Sequence, residues 1–330
     1  MEIVLQILIL VVGFVLLIKG ADILVSGASS IASNFKVSKM LIGLTIVAFG
    51  TSAPELAISI SSLISGETDM LLGNVIGSNI LNILLLIGVA ALICPLVIRS
   101  ATVRKELPML LLITTALAVL FLDVVIDKAN NNAITRSDGI ICILFFGIFL
   151  YYLIAMAKGK KTKSKAKNAK KTEEEKPKYN IWISILLTVG GLVGVIFGSR
   201  LVVDSASNIA TAIGISERVI ALTIVAFGTS LPELVTTITA ARRREQDLIV
   251  GNIIGSNIFN ICVVLGIPVA LFGTVTPDSF QTIDLIMFIG SAVLLFLFAR
   301  TDRKITKLEG TLMLIAFAIY YGFVIVGEFV

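Results

Sequence analysis

There is no histidine in this chain of 330 residues. That absence removes the serine–histidine dyad, the HExxH zinc site and the histidine proton relay together. Cysteine is nearly missing too. Cys94, Cys142 and Cys262 each sit in apolar sequence with no CxxC spacing, so they read as packed, reduced thiols. Charge is scarce: 15% of residues are Asp, Glu, Lys or Arg, against 57% hydrophobic, and the mean hydropathy is +1.01. A polytopic membrane protein has that balance; a soluble domain does not. The opening, MEIVLQILILVVGFVLLIKG, lacks a basic leading segment and a small-residue cleavage site. It reads as a retained first helix, not a signal peptide.

What the chain does have is one phrase written twice. Residues 44–56 read LTIVAFGTSAPEL and residues 222–234 read LTIVAFGTSLPEL, differing only at Ala53 and Leu231. GNVIGSNILN (73–82) returns as GNIIGSNIFN (251–260) at the same offset of 178. A weaker match, VSGASSIASNFKVS (25–38) against VDSASNIATAIGIS (203–216), extends the repeat over nearly each half. The expected organisation is a first membrane repeat, 1–157, a basic linker, 158–178, and a second membrane repeat, 179–330. The linker, KGKKTKSKAKNAKKTEEEKPK, suits neither membrane nor core and reads as a solvated tether, not a nucleic-acid patch.

Hydrophobic windows give about five spans per half. They lie near 3–34, 39–64, 70–94, 106–124 and 139–157, then 180–213, 218–241, 248–272, 281–299 and 308–327. The fold class is all-α, about ten transmembrane helices in two inverted-topology five-helix repeats. The first span of each half is too long to stand upright and must tilt, bend or run along the surface. Taking the lysine linker as cytoplasmic puts Lys36, Lys39, Arg99, Arg104, Lys105, Arg242, Arg243, Arg244, Arg300, Arg303, Lys304 and Lys307 on the same side. The opposite connections hold Glu67, Asp69, Asp127, Lys128, Arg136, Asp138, Glu217, Arg218 and Asp278. That is the positive-inside bias of a multi-pass cell-membrane protein, and both termini then lie outside. An odd number of spans per half turns the second repeat upside down relative to the first. Inverted repeats of this kind recur in secondary transporters.

The chemistry lies in the repeated motifs. Pro54 lacks the N–H that would bond the Gly50 carbonyl, so the turn Ala48–Thr51 is expected to open. Thr51, Ser52 and Glu55 share one helix face, which Ser59 and Ser62 extend. The second copy gives Thr229, Ser230 and Glu233 around Pro232, extended by Thr236 and Thr237. A carboxylate in an apolar span is costly without a cation or a wet cavity, so Glu55 and Glu233 are the leading candidate site residues. Asn74, Ser78 and Asn82 follow at four-residue steps, as do Asn252, Ser256 and Asn260. Asn74 and Asn252 read equally well as interhelical glue. Gly73 with Gly77, and Gly251 with Gly255, are spaced for close helix approach. The donors are all oxygen, which suits hard cations such as Ca²⁺ and Na⁺ and argues against zinc or copper.

Duplicated GTSxPE followed by GNxxGSNxxN, in halves of opposite topology, resembles the α-repeats of the sodium/calcium exchanger family, the cation/Ca²⁺ antiporters. The resemblance covers essentially the whole chain outside the linker. It implies a core from spans 2, 3, 7 and 8, and Na⁺ exchanged for Ca²⁺. It implies that Thr51, Ser52, Glu55, Ser78, Asn82, Thr229, Ser230, Glu233, Ser256 and Asn260 line the ion sites. Carbonyls of Ala48 and Ala226 would add Na⁺ ligands, and the first span of each half would be a sliding gate. Several relatives, notably the K⁺-dependent exchangers, carry an aspartate where this chain has Asn260, which speaks against K⁺ cotransport. Two carboxylates neutralise one Ca²⁺; three Na⁺ would leave surplus positive charge, so exchange is expected to be electrogenic. The linker has no room for a folded Ca²⁺-sensing domain.

The sequence therefore reads as an antiporter and not an enzyme. Its cargo is Ca²⁺ and Na⁺, its solvent partner is the bilayer, and no cofactor or nucleic acid is expected. A Ca²⁺/H⁺ antiporter using the same glutamates stands as the alternative, because desolvation makes a carboxylate easier to protonate. An intramembrane protease lacks its histidine or duplicated aspartates, and a passive channel does not need broken inverted repeats. Asp22, Arg200 and Asp204, inside the long first spans, could pair, gate or reach interface water.

Overall fold

A computed structural model describes residues 2–126, 128, 131–164, 177–213, 226–276 and 282–329. Asp127, Glu217, Arg218, Asp278, residues 218–225 of the seventh expected span and residues 165–176 of the linker lie outside them.

The protein is an all-α membrane protein. The main helices are α1 (Glu2–Phe35), α2 (Lys39–Thr51), α3 (Ala53–Ile64), α4 (Thr68–Ile93), α5 (Glu106–Leu120) and α6 (Arg136–Ser164). The second half gives α7 (Ile181–Ala212), α8 (Leu231–Arg242), α9 (Gln246–Phe272), α10 (Thr282–Arg300) and α11 (Lys307–Phe329). Among the described residues seven helices are long and apolar enough to cross a membrane, and eight crossings result if α2 and α3 form one bent span. Two of the ten expected spans are not in that set: α5 has only 15 residues, and the chain before α8 is largely outside the described residues. α6 runs beyond the apolar stretch into the start of the basic linker, to Ser164.

Three helix starts are fixed by side-chain caps. Ser38 Oγ accepts from Leu41 N at 3.3 Å to open α2, and Asn180 Oδ1 accepts from Ile183 N at 2.9 Å to open α7. Thr306 and Glu309 form a reciprocal capping box before α11. The ends of α3 and α8 show the repeat in three dimensions. Gly66 and Arg244, repeat mates, both take positive φ, +79° and +58°. Glu67 N bonds Ser62 O at 2.8 Å and Glu245 N bonds Ala240 O at 2.9 Å, the same closing turn with and without glycine.

The chain divides into two compact units, each drawing on both sequence halves. The first holds Met1–Pro54, Lys170–Asn252 and Tyr321–Val330. Its main feature is α1 lying along α7 at backbone distance. A Cβ on Gly27 would come within 2.6 Å of Thr188 N, and one on Gly20 within 2.7 Å of Val195 N. Val4, Leu8, Val11 and Val15 of α1 are exposed, as lipid-facing residues are. Asp22 of α1 pairs with Arg243 after α8, which also donates to Ser26. Lys39 pairs with Glu245 at 2.9 Å. Arg200 and Asp204 are exposed.

The second unit holds Glu55–Ala169 and Ile253–Tyr320. Here α5 packs on α10, and α6 packs on the second half of α9. Phe146 meets Phe259 edge to face at 5.9 Å between centroids, and Phe149 and Phe288 are fully buried. Two strands of two residues each, β1 (Leu96–Val97) and β2 (Lys304–Ile305), pair antiparallel, with Leu96 opposite Ile305. They join the connection after α4 to the connection after α10. Cys94, Cys142 and Cys262 are buried free thiols.

Candidate functional site

The first unit carries the break between α2 and α3 and the start of α8. The two parts of the broken span meet at 44°. The expectation that Ala48–Thr51 opens is not met: those residues stay helical, and the break falls at Ser52. Pro54 removes only the bond to Gly50 O. One turn earlier Ser52 N still bonds Ala48 O at 3.0 Å, and Thr51 Oγ1 donates to Val47 O at 3.0 Å, so the turn holds. Ser52 is thereby turned inward, and its Oγ donates to Glu233 Oε1 at 3.0 Å. Thr51 and Ser52 are fully buried and Glu233 is 1% exposed.

In the second copy Ala226–Gly228 forms a short helical turn, Thr229 and Ser230 make the break, and Pro232 sits in the first turn of α8. Ser199 of α7 pins this turn by donating to Gly228 O at 2.8 Å. The repeat gave no hint of that role, because Ser199's mate is Ala21. Among the described residues, Glu233 Oε2, Ser230 Oγ, Thr236 Oγ1, Thr237 Oγ1 and both amide atoms of Asn252 are buried without a hydrogen-bond partner. A buried polar atom left open costs about 1–3 kcal/mol, so such a group of oxygens is built for something that fills it.

The second unit carries Glu55, Ser78, Asn82, Ser256 and Asn260, all buried. Asn74 Nδ2 donates to the Glu55 backbone carbonyl at 3.1 Å and to Ser59 Oγ at 3.0 Å, tying α4 to α3. That is the glue role, and it leaves the Glu55 carboxylate out of the tie. Asn252, its repeat mate, makes no such bond. Asn82 and Asn260 each begin a π-helical stretch, Asn82–Leu86 and Asn260–Leu265. Such widened turns gather at functional positions. Asn82 Nδ2 donates to Asn257 Oδ1 at 3.1 Å, while Asn82 Oδ1 and both amide atoms of Asn260 have no partner among the described residues.

The spacing signal holds at Gly251, where a Cβ would come within 2.5 Å of Met40 O in the first unit. A Cβ on Gly73 would meet nothing within 4 Å among the described residues, and the repeat mates of the residues that Gly251 meets, 218, 221 and 222, lie outside them. Asn79 and Asn257 were not singled out by spacing, yet both are buried in the polar cluster. Their one sequence signal is that each occupies the same place in the repeated GSN.

A family model described as sodium/calcium exchanger protein matches residues 5–155 and 183–326. The chain is 39% identical over 314 residues to a putative antiporter CaxA of Alkalimonas amylolytica, covering 94% of this chain and 95% of that one. It is 32% identical over 356 residues to the sodium/calcium exchanger MaX1 of Methanosarcina acetivorans, covering 98% and 99%. Among solved structures, the sodium-calcium exchanger NCX_Mj superposes with a TM-score of 0.82 at 32% identity, covering 96% of this chain and 99% of the other.

Proposed function

Because the chain belongs to the sodium/calcium exchanger family, a family of membrane cation antiporters, we propose that it exchanges Na⁺ for Ca²⁺ by alternating access, electrogenically and without K⁺. Glu55 and Glu233 supply the charge. Thr51, Ser52, Ser78, Asn82, Thr229, Ser230, Ser256 and Asn260 supply neutral oxygens, and the Ala48 and Ala226 carbonyls complete the Na⁺ ligands. The observation that carries the reading is the group of buried oxygens at Glu233, Ser230, Thr236 and Thr237 that have no hydrogen-bond partner among the described residues. It is a hard-cation donor set, and Ca²⁺ takes about 6–8 such oxygens. Two carboxylates balance one Ca²⁺ and leave none over to hold K⁺. We place the linker on the cytoplasmic side and both termini outside, following the basic residues.

Radiolabelled Ca²⁺ uptake into proteoliposomes tests this, with Na⁺, K⁺ and H⁺ gradients imposed in turn. Uptake is expected to follow an outward Na⁺ gradient, ignore K⁺, and respond to an imposed potential, at about 2.3 kcal/mol per elementary charge per 100 mV. Uptake driven by a pH gradient and indifferent to Na⁺ replaces this reading with the Ca²⁺/H⁺ antiporter. Replacing residues 158–178 with a Gly/Ser linker of equal length is expected to leave flux within about twofold, as a tether of that composition should. A large loss in well-inserted protein would reveal a regulatory element there.

A further inference from the structure

The asparagine cluster of the second unit has a direction built into it. Asn257 is fully buried, and its Nδ2 faces the backbone carbonyl of Asn79 at 3.5 Å. A carbonyl only accepts, so this contact favours the amide orientation in which Asn257 Oδ1 faces Asn82. Asn82 must then present its Nδ2, and does so at 3.1 Å. Asn82 Oδ1 is left buried without a partner. An unheld asparagine can turn either its oxygen or its NH₂ to a cation, and only the oxygen attracts one. Asn257 removes the wrong choice.

The repeat supplies an independent check. Asn79 and Asn257 are mates at the offset of 178, as are Asn82 and Asn260. Asn79 Nδ2 donates to Val75 O at 2.7 Å, which leaves its Oδ1 as an acceptor. That Oδ1 and Asn260 Nδ2 are both without partners. The same donor and acceptor therefore exist twice and are joined once.

We propose that Asn257 is a positioning residue for transport: it holds the Asn82 side-chain oxygen toward the transported cation and keeps the amide N–H groups away from it. The proposal rests on the reading that Asn82 is an ion ligand. Partners that orient a metal ligand are worth about 10–100-fold in affinity.

The test uses Ca²⁺ uptake by the full chain in proteoliposomes, reading KM and maximal rate separately. Asn257→Leu is expected to raise KM for Ca²⁺ about tenfold while the maximal rate stays within about twofold. Asn257→Ala gives the same reading should the leucine fail to insert. The decisive arm is Asn82→Asp. A carboxylate offers oxygen in either orientation, so it needs no Asn257 to aim it. In that background Asn257→Leu is expected to change KM by less than about twofold. An equal shift in both backgrounds, or no shift in the native one, overturns the proposal. Asn82→Ala separates it from the reading beneath: an unchanged KM in that variant removes Asn82 from the ion site, and the proposal with it.

Discussion

Glu55→Gln and Glu233→Gln each lower Ca²⁺ flux by at least about a hundredfold while leaving the protein folded. A unit charge about 4 Å from another is worth about 4 kcal/mol at an effective dielectric near 20, and about twice that against a divalent ion. Each 1.4 kcal/mol is a factor of ten, so even half of that interaction exceeds a hundredfold. Folding is expected to survive because glutamine keeps the bonds to Asn74 and Ser52. Asn74 reaches Glu55 through the main-chain carbonyl, which glutamine keeps. Ser52 donates to Glu233 Oε1, and a glutamine amide oxygen accepts the same bond. Size-exclusion profile and helical circular dichroism establish the fold, and radiolabelled uptake reads the function. Native flux in either variant sinks the assignment of the carboxylates.

Gly27→Leu has the second large effect, through packing. The Cβ would lie 2.6 Å from Thr188 N and equally close to Thr188 Oγ1. The obstructing atoms include main chain, which cannot rotate away, so α1 and α7 must separate. Overpacking of this kind costs about 1–3 kcal/mol, occasionally more, and here it strikes the longest helix contact in the first unit. A fall in thermal midpoint of several degrees in detergent, with loss of transport, is the expected result. Gly190→Leu is the control: it is one residue from Gly191 on α7, and a Cβ there meets nothing within 4 Å. Equal midpoints for the two variants would mean that the seam between α1 and α7 does not depend on glycine.

Much of this was legible in the sequence for a simple reason. A bilayer forces long apolar helices, and a duplication prints every informative residue twice. The buried hydroxyls at 51, 52 and 230 and the buried carboxylates at 55 and 233 were found that way. What stayed hidden depends on three-dimensional neighbours. Proline's missing donor located the break to within one turn but could not say that Thr51 and Ser52 would hold the preceding turn closed. Gly251 sits in an ordinary GxxxG spacing, and only the packing tells that it faces a backbone, that of Met40. The π-helical turns at Asn82 and Asn260 leave no mark in periodicity. Asp22 found Arg243, which follows it by 221 residues, a pairing beyond any local rule.

That last pair bears on the rate of the proposed cycle. Arg243 follows Glu233 by ten residues, most of them in α8, so the salt bridge to Asp22 couples α1 to the helix that carries a candidate ion ligand. The side chains are 32% and 52% exposed, and a pair so open to water is worth about 0–1 kcal/mol. Breaking it slows a step by no more than about fivefold. A buried pair in the same place would resist by about 3–5 kcal/mol and stall each turnover by a thousandfold or so. For the alternating access proposed above, with α1 as a sliding gate, the contact would act as a detent weak enough to be crossed in every cycle.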